Sequence, residues 1–167
     1  MTPELFKAVV DVNAVGEELG IRVVLVGALM MEFTVEIRPD YPPPKRTNDA
    51  DFAAFVKDWA DFERLRAALE AKKYHRDPRV EHRLTNTEKT VLLDLIPVGG
   101  GVAEDGKIVW PESKFEMTVI GFEEVCTAVA VEVREGLPKV PVITVPGFAL
   151  LKIVAFQDRF EEQNLKY

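Results

Sequence analysis

The stretch Lys45-Arg46-Thr47-Asn48-Asp49-Ala50-Asp51-Phe52-Ala53-Ala54-Phe55-Val56 decides how the rest of this chain is read. Two acids stand one residue apart, and an apolar run follows at once. A strand over 49–56 sends alternate side chains to opposite faces, so Asp49 and Asp51 leave the same face at its leading end. Two carboxylates held that close repel each other unless something positive lies between them, and a divalent cation is the usual reason for such a pair. Asn48-Asp49 is also turn chemistry, and acid pairs are common on solvated surfaces.

Working outward, two further pieces bear on the choice. Asp94 is the only polar residue in Val91-Leu92-Leu93-Asp94-Leu95-Ile96. An ionised carboxylate in such a run is expensive unless paired. A hydrogen bond or salt bridge to a nearby Arg is one explanation. Placement on a strand beside Asp49-Ala50-Asp51, about 4.8 Å away, is the other. The three acids then converge on a Mg²⁺-type site that completes its shell with phosphate oxygens and water. On the other side, the β-branched run Arg22–Val26 ends at Gly27, ahead of an apolar, helical-looking segment over 28–36. Amides at such a junction suit a phosphate, although tight packing also asks for glycine there.

The inventory prunes other chemistry. The chain has 167 residues, 47% hydrophobic and 29% charged, which suits a single soluble α/β domain over 1–167. No apolar run is long enough to span a bilayer, and Met1-Thr2-Pro3-Glu4 is not a signal-peptide start, so the expected location is the cytoplasm. One cysteine, Cys126, allows no internal disulfide and no multi-cysteine zinc site. The one serine, Ser113, is not in a nucleophile elbow, and neither a P-loop nor a dinucleotide fingerprint is present. With net charge -7, no global attraction to nucleic acid is expected. Locally, however, Arg64, Arg66, Lys72, Lys73, Arg76, Arg79 and Arg83 outnumber the acids of 64–83. That run suits an RNA acceptor or a solvated helix face.

The remaining elements follow from patterning. Thr2 as N-cap, Pro3 and the apolar stripe Leu5, Val9, Val12 and Leu19, widened by Phe6 and Val10, predict a helix over 3–19. The four prolines of 38–44 predict an extended loop. Asp58 caps a helix over 58–72, and strands are predicted over 80–86 and 90–96, the second ended by Pro97 and a flexible glycine loop. Residues 107–120 read as strand-rich, 121–127 as a short helix, 128–134 as an edge strand and 142–145 as a short strand before a final helix.

The order of these pieces resembles the nucleotidyltransferases of the DNA polymerase β type, and more closely the AbiEii-like branch known from type IV toxin–antitoxin systems. The resemblance rests on Val26-Gly27-Ala28, Arg46-Thr47-Asn48-Asp49-Ala50-Asp51-Phe52-Ala53, Asp58-Trp59-x-x-Phe62 and Leu93-Asp94-Leu95-Ile96-Pro97. Ile108-Val109-Trp110-Pro111, Met117–Phe122 and Leu151–Arg159 add to it. It implies a mixed β-sheet flanked by helices, and transfer of a nucleoside monophosphate from an NTP to a hydroxyl on RNA, protein or a small molecule. It further implies two Mg²⁺ ions on Asp49, Asp51 and Asp94, with Asp94 helping to deprotonate the acceptor. Gly27, Ala28, Arg46, Thr47 and Lys152 would contact the nucleotide, and an antitoxin is an implied partner. Three departures are plain: Ala28 stands where a small Gly or Ser is usual, the Gly27-to-Asp49 spacing is long, and Lys166 is followed by no Asp. These departures suit the alternative of a catalytically degenerate binding or regulatory module.

Overall fold

The computed structural model describes residues 1–34, 47–130 and 136–164, apart from the side chains of Ala130 and of residues 159–164. The proline-rich insert, Arg46 and most of the predicted 128–134 strand lie outside the described residues. The elements in chain order are α1 (Pro3–Leu19), β1 (Arg22–Leu25), α2 (Met30–Thr34), β2 (Asp49–Phe55), α3 (Trp59–Ala71), β3 (His75–Arg76), β4 (Arg83–Thr85) and β5 (Leu92–Val98). They continue with β6 (Ala103–Glu104), β7 (Lys107–Val109), β8 (Glu116–Thr118), α4 (Phe122–Thr127), β9 (Val129–Ala130), β10 (Val142–Ile143) and α5 (Val145–Asn164). None of the described helices is long and apolar enough to cross a membrane.

Seven strands form one mixed sheet in the order β3-β4-β5-β2-β1-β10-β9, and β6-β7-β8 form a second, antiparallel sheet. β2 runs antiparallel to β1 and parallel to β5, which in turn pairs antiparallel with β4. The strand that carries Asp49 and Asp51 is therefore central, and the strand that carries Asp94 is its direct neighbour.

Alternation along the strands separates two faces. Val23 and Leu25 lie opposite Ala54 and Phe52 and face α1. A Cβ on Gly16 of α1 would meet Ile21 O at 2.7 Å and the Val23 side chain at 3.1 Å, so the helix seats directly on β1. Thr2 Oγ1 accepts from the Leu5 amide, and Leu5, Ala8, Val9, Val12 and Val15 are buried. The stripe is narrower than the sequence predicts: Phe6 and Val10 are 37% and 39% exposed. α3 starts at its Asp58 cap, where Oδ1 accepts from the Asp61 amide at 2.8 Å, and buries Phe62, Leu65 and Leu69. Trp59, Phe62 and Trp110 then pack as an aromatic cluster, with ring centroids 5.5 to 5.8 Å apart.

Three of the predictions differ from the structure. β5 does not end at Pro97 but runs through it to Val98. Leu92 and Val98 bond across to β2, so by alternation the missing N–H of Pro97 faces the other edge. Pairing on that edge ends where Leu95 donates to His82 O, and no donor is needed beyond it. Two of the glycines that follow are close-packed: a Cβ on Gly99 would stand 2.5 Å from Val56 O and one on Gly101 1.6 Å from Lys57 O, while Gly100 is open. Finally, Val145 opens α5 instead of closing a strand, because Thr144 Oγ1 accepts from the Gly147 amide at 3.2 Å and caps the helix.

Candidate active site

The face opposite α1 carries the candidate residues. Asp51 is the register partner of Asp94, and Asp94 is the register partner of Arg83. Registered neighbours share a face, so β2, β5 and β4 present Asp51, Asp94 and Arg83 in one row. Asp49 lies two residues before Asp51 and joins them on that face. β1 closes the other end of the row, where the Val26 amide donates to Asp51 O at 2.8 Å. This brings Gly27 against Asp51: a Cβ built on Gly27 would stand 1.6 Å from Asp51 Oδ2. The space beside Gly27 is thus filled by a carboxylate, and the glycine is required for that carboxylate to sit there.

Electrostatics follow from this crowding. Burial, then the charges of Asp94 and Asp49, push the Asp51 carboxyl up to about 6, while Lys152 and Arg83 oppose the rise. Asp94 is only 8% exposed and is held by Arg83, whose Nε and Nη2 donate to its two oxygens at 2.7 Å each. The paired carboxylate holds the Arg83 guanidinium well above its ordinary value. His82 Nε2 lies 3.8 Å from the same carboxylate, and its ring packs on Trp110 at 5.6 Å. Burial depresses the His82 imidazole, against an opposing pull from Asp94. Asp94 therefore satisfies both readings of the sequence: it adjoins Asp51, and it is salt-bridged to an arginine.

A cleft of about 400 Å³ opens over the Gly27–Asp51 end of this row. Val26, Gly27, Asp51 and Ile96 form its floor. Residues 115–118 and Ile120 form one wall, and α5 forms the other with Phe148, Leu151, Lys152, Ala155 and Asp158. Asp51 puts a charge at its base, and its largely apolar sides carry Glu116, Lys152 and Asp158. Lys152 is exposed, lies 5.2 Å over the Phe148 ring, and is near enough to Asp51 to lower its pKa.

The other sequence-derived candidates fall as follows. Thr47 Oγ1 accepts from the Asp49 amide at 3.1 Å and shapes the entry to β2. Ala28 follows Gly27 in a turn whose carbonyls accept from Met30 and Met31. The helix after it, α2, begins at Met30, two residues later than predicted, and its predicted end at 36 lies outside the described residues. Arg46 lies outside the described residues. Of the basic run, Arg64 pairs with Asp61, Arg66 with Glu63, Arg76 with Glu63 and Glu70, and Arg83 with Asp94. Arg66 is also buried, with Nη1 donating to Glu81 O. Those four serve the fold and the site; Lys72, Lys73 and Arg79 carry the remaining charge of the run.

Among the described residues, no group of three or more His, Cys, Asp and Glu side chains is arranged to hold a metal ion. What would hold a cation is the Asp49/Asp51 pair on one strand face; burial, and after it the neighbouring acids, raise the Asp51 pKa, as a site short of positive charge would. Two carboxylates are enough for Mg²⁺ when phosphate oxygens and water complete the shell. Asp94, with one lone pair on each oxygen already taken by Arg83, is the poorest ligand of the three. The buried thiol of Cys126 is pushed up to about 12 by desolvation, opposite to what a nucleophilic cysteine needs.

Sequence reading alone missed two contributors. It placed Arg83 in the basic run and not beside Asp94, because the pairing depends on the register of β4 against β5. It also missed the Phe115–Ile120 wall, which belongs to the second sheet. No family model matches this chain, and no curated protein matches it.

Proposed function

We propose that the protein is a Mg²⁺-dependent nucleotidyltransferase that moves a nucleoside monophosphate from an NTP to a hydroxyl acceptor. The observation that carries the reading is the alignment of Gly27, Asp51 and Asp94 along one sheet face, with Gly27 and Asp51 at the floor of a cleft whose wall bears Lys152. Three sequence segments far apart along the chain meet there on adjacent strands, in the order of the polymerase β-type pattern. Asp49 and Asp51 would hold Mg²⁺, which supplies neutralising charge to the triphosphate oxygens when bound.

The chain's own residues do the rest. Gly27 lets the Asp51 carboxylate lie flat against β1 and keeps it aimed at the cleft. Lys152, on an exposed turn of α5, attracts the triphosphate as a flexible point charge. The apolar walls exclude water from the nucleotide and offer flat surface to a base. Asp94 keeps one lone pair per oxygen beyond its bonds to Arg83, so it can orient an acceptor hydroxyl or take its proton. RNA is the acceptor that the charge of Lys72, Lys73 and Arg79 would suit; the toxin–antitoxin connection rests on the resemblance alone.

One observation favours a second reading. Asp94 locked by Arg83 is the arrangement expected of a degenerate module that kept the fold and lost a metal ligand. The two readings separate on transfer of labelled phosphate from an α-labelled NTP, with Asp51→Asn as the control. Mg²⁺-dependent labelling lost in the variant supports the enzyme. Nucleotide binding without transfer supports the module.

A further inference from the structure

The row of charges that runs from Asp51 on the cleft floor across β5 to β4 is asymmetric. Asp51 has Gly27 on one side and Asp94 on the other, and Asp94 in turn has Arg83 beyond it. Arg83 makes both of its short bonds to Asp94 and also feels the charge of Asp49. A bidentate pair of this kind behaves toward a third charge as a nearly neutral unit. A cation on Asp49 and Asp51 therefore sees two acids, not three, and a guanidinium stands a strand beyond.

We infer that Arg83 is a positioning residue that withholds Asp94 from the cation and so sets the divalent affinity of the cleft low. This rests on the reading of Asp49 and Asp51 as the cation site. The chemical logic is competition for one carboxylate. A Mg²⁺ bound by three acids is nearly saturated in charge before a substrate arrives. Bound by two, it retains attraction for the triphosphate, and the complex of metal and nucleotide is favoured over metal alone. Arg83 thereby couples cation binding to nucleotide binding without touching either. Arg66, Arg64 and Arg76 cannot serve in this way, because their partners Glu63, Asp61 and Glu70 lie on α3.

The test reads metal binding, not transfer. The metal-free protein, Arg83→Gln, and the double variant Arg83→Gln/Asp94→Asn are titrated with Mn²⁺ and followed by electron paramagnetic resonance of the free ion. Removing one positive charge a strand away from a divalent cation is expected to tighten Mn²⁺ binding on the order of tenfold in Arg83→Gln. The double variant removes a neutral pair and is expected to return within about twofold of the wild type. A folded Arg83→Gln that binds no tighter overturns the inference. So does a double variant weakened tenfold or more on the same scale, because Asp94 would then be a ligand in the wild type. If circular dichroism shows Arg83→Gln unfolded, the double variant, which leaves no uncompensated charge, decides alone by the same criterion. Wild type and Arg83→Gln both without Mn²⁺ binding overturn the cation reading itself, whereas binding by both at equal strength overturns only the role of Arg83.

Discussion

Gly27 and Asp51 cannot both carry side chains in their present positions: a Cβ on Gly27 would lie 1.6 Å from Asp51 Oδ2 and 2.7 Å from Asp51 Cβ. The contact ties the segment just after β1 to the acid-bearing strand β2. Gly27→Ala is therefore expected to displace the carboxylate and to destabilise the protein by about 1–3 kcal/mol, the range for overpacking. The same change made in an Asp51→Gly background, where the obstacle is gone, should cost less than half as much. Urea unfolding of the four proteins of this cycle measures the coupling; equal costs in both backgrounds would show that Gly27 serves another neighbour.

Asp51 has a pH signature. In the unfolded chain it ionises near 3.8, and in the folded protein near 6. Between those values the folded state binds more protons, so stability attributable to this group falls as pH rises and the penalty is complete above about 6. The interval corresponds to about 3 kcal/mol. Asp51→Asn stays uncharged. In chelator, its stability should match wild type near pH 4 and exceed it by up to that amount at pH 7.5. A difference that does not change with pH would mean that Asp51 is not electrostatically strained.

Lys152 is exposed, so its removal should leave the fold intact. Lys152→Met is expected to weaken NTP binding by about tenfold, the loss of one favourable charge at the cleft rim. It should also raise the Asp51 pKa further, since Lys152 is one of two cations that hold it down. Isothermal titration with a non-hydrolysable NTP, together with NMR titration of the Asp51 carboxyl, reads both effects. Unchanged affinity would assign Lys152 to the helix surface.

Cys126 should be silent toward thiol reagents. It is fully buried and its thiol is held protonated. Ellman's reagent is expected to label less than a tenth of the native protein in the time that labels all of it in urea, on the order of the protection that burial confers. Fast labelling of folded protein would reopen thiol chemistry.

Much of this arrangement is legible in the sequence because acids in apolar runs announce strand placement. Asp49, Asp51 and Asp94 share one face because period-2 alternation and adjacency of two apolar strands leave few options. The Arg83–Asp94 pair was not legible. It depends on the register of β4 against β5, and a slip of one residue would turn Arg83 to the other face. That register is set by the loop between Thr85 and Leu92, where Asn86 Oδ1 accepts from the Thr90 and Val91 amides at 2.8 and 3.0 Å. Nor does local pattern show that Phe115 and Ile120 overhang Asp51, since that follows from how the second sheet packs on the first. The Asp105-Gly106 turn was legible for a local reason: both residues take positive φ, 49° and 74°, which a tight hairpin demands and this pair tolerates.

The central claim is that Asp51 serves a cation in phosphoryl transfer and is not a structural acid. The most direct measurement incubates wild type and Asp51→Asn with α-labelled NTPs, Mg²⁺ and total RNA, protein extract or small hydroxyl compounds, and counts label in each fraction alongside pyrophosphate release. The account expects Mg²⁺-dependent label in one fraction with wild type, loss of at least about a hundredfold in Asp51→Asn, and a variant as stable as wild type or more so. No transfer to any acceptor by wild type, with an Asp51→Asn variant that unfolds, would contradict it.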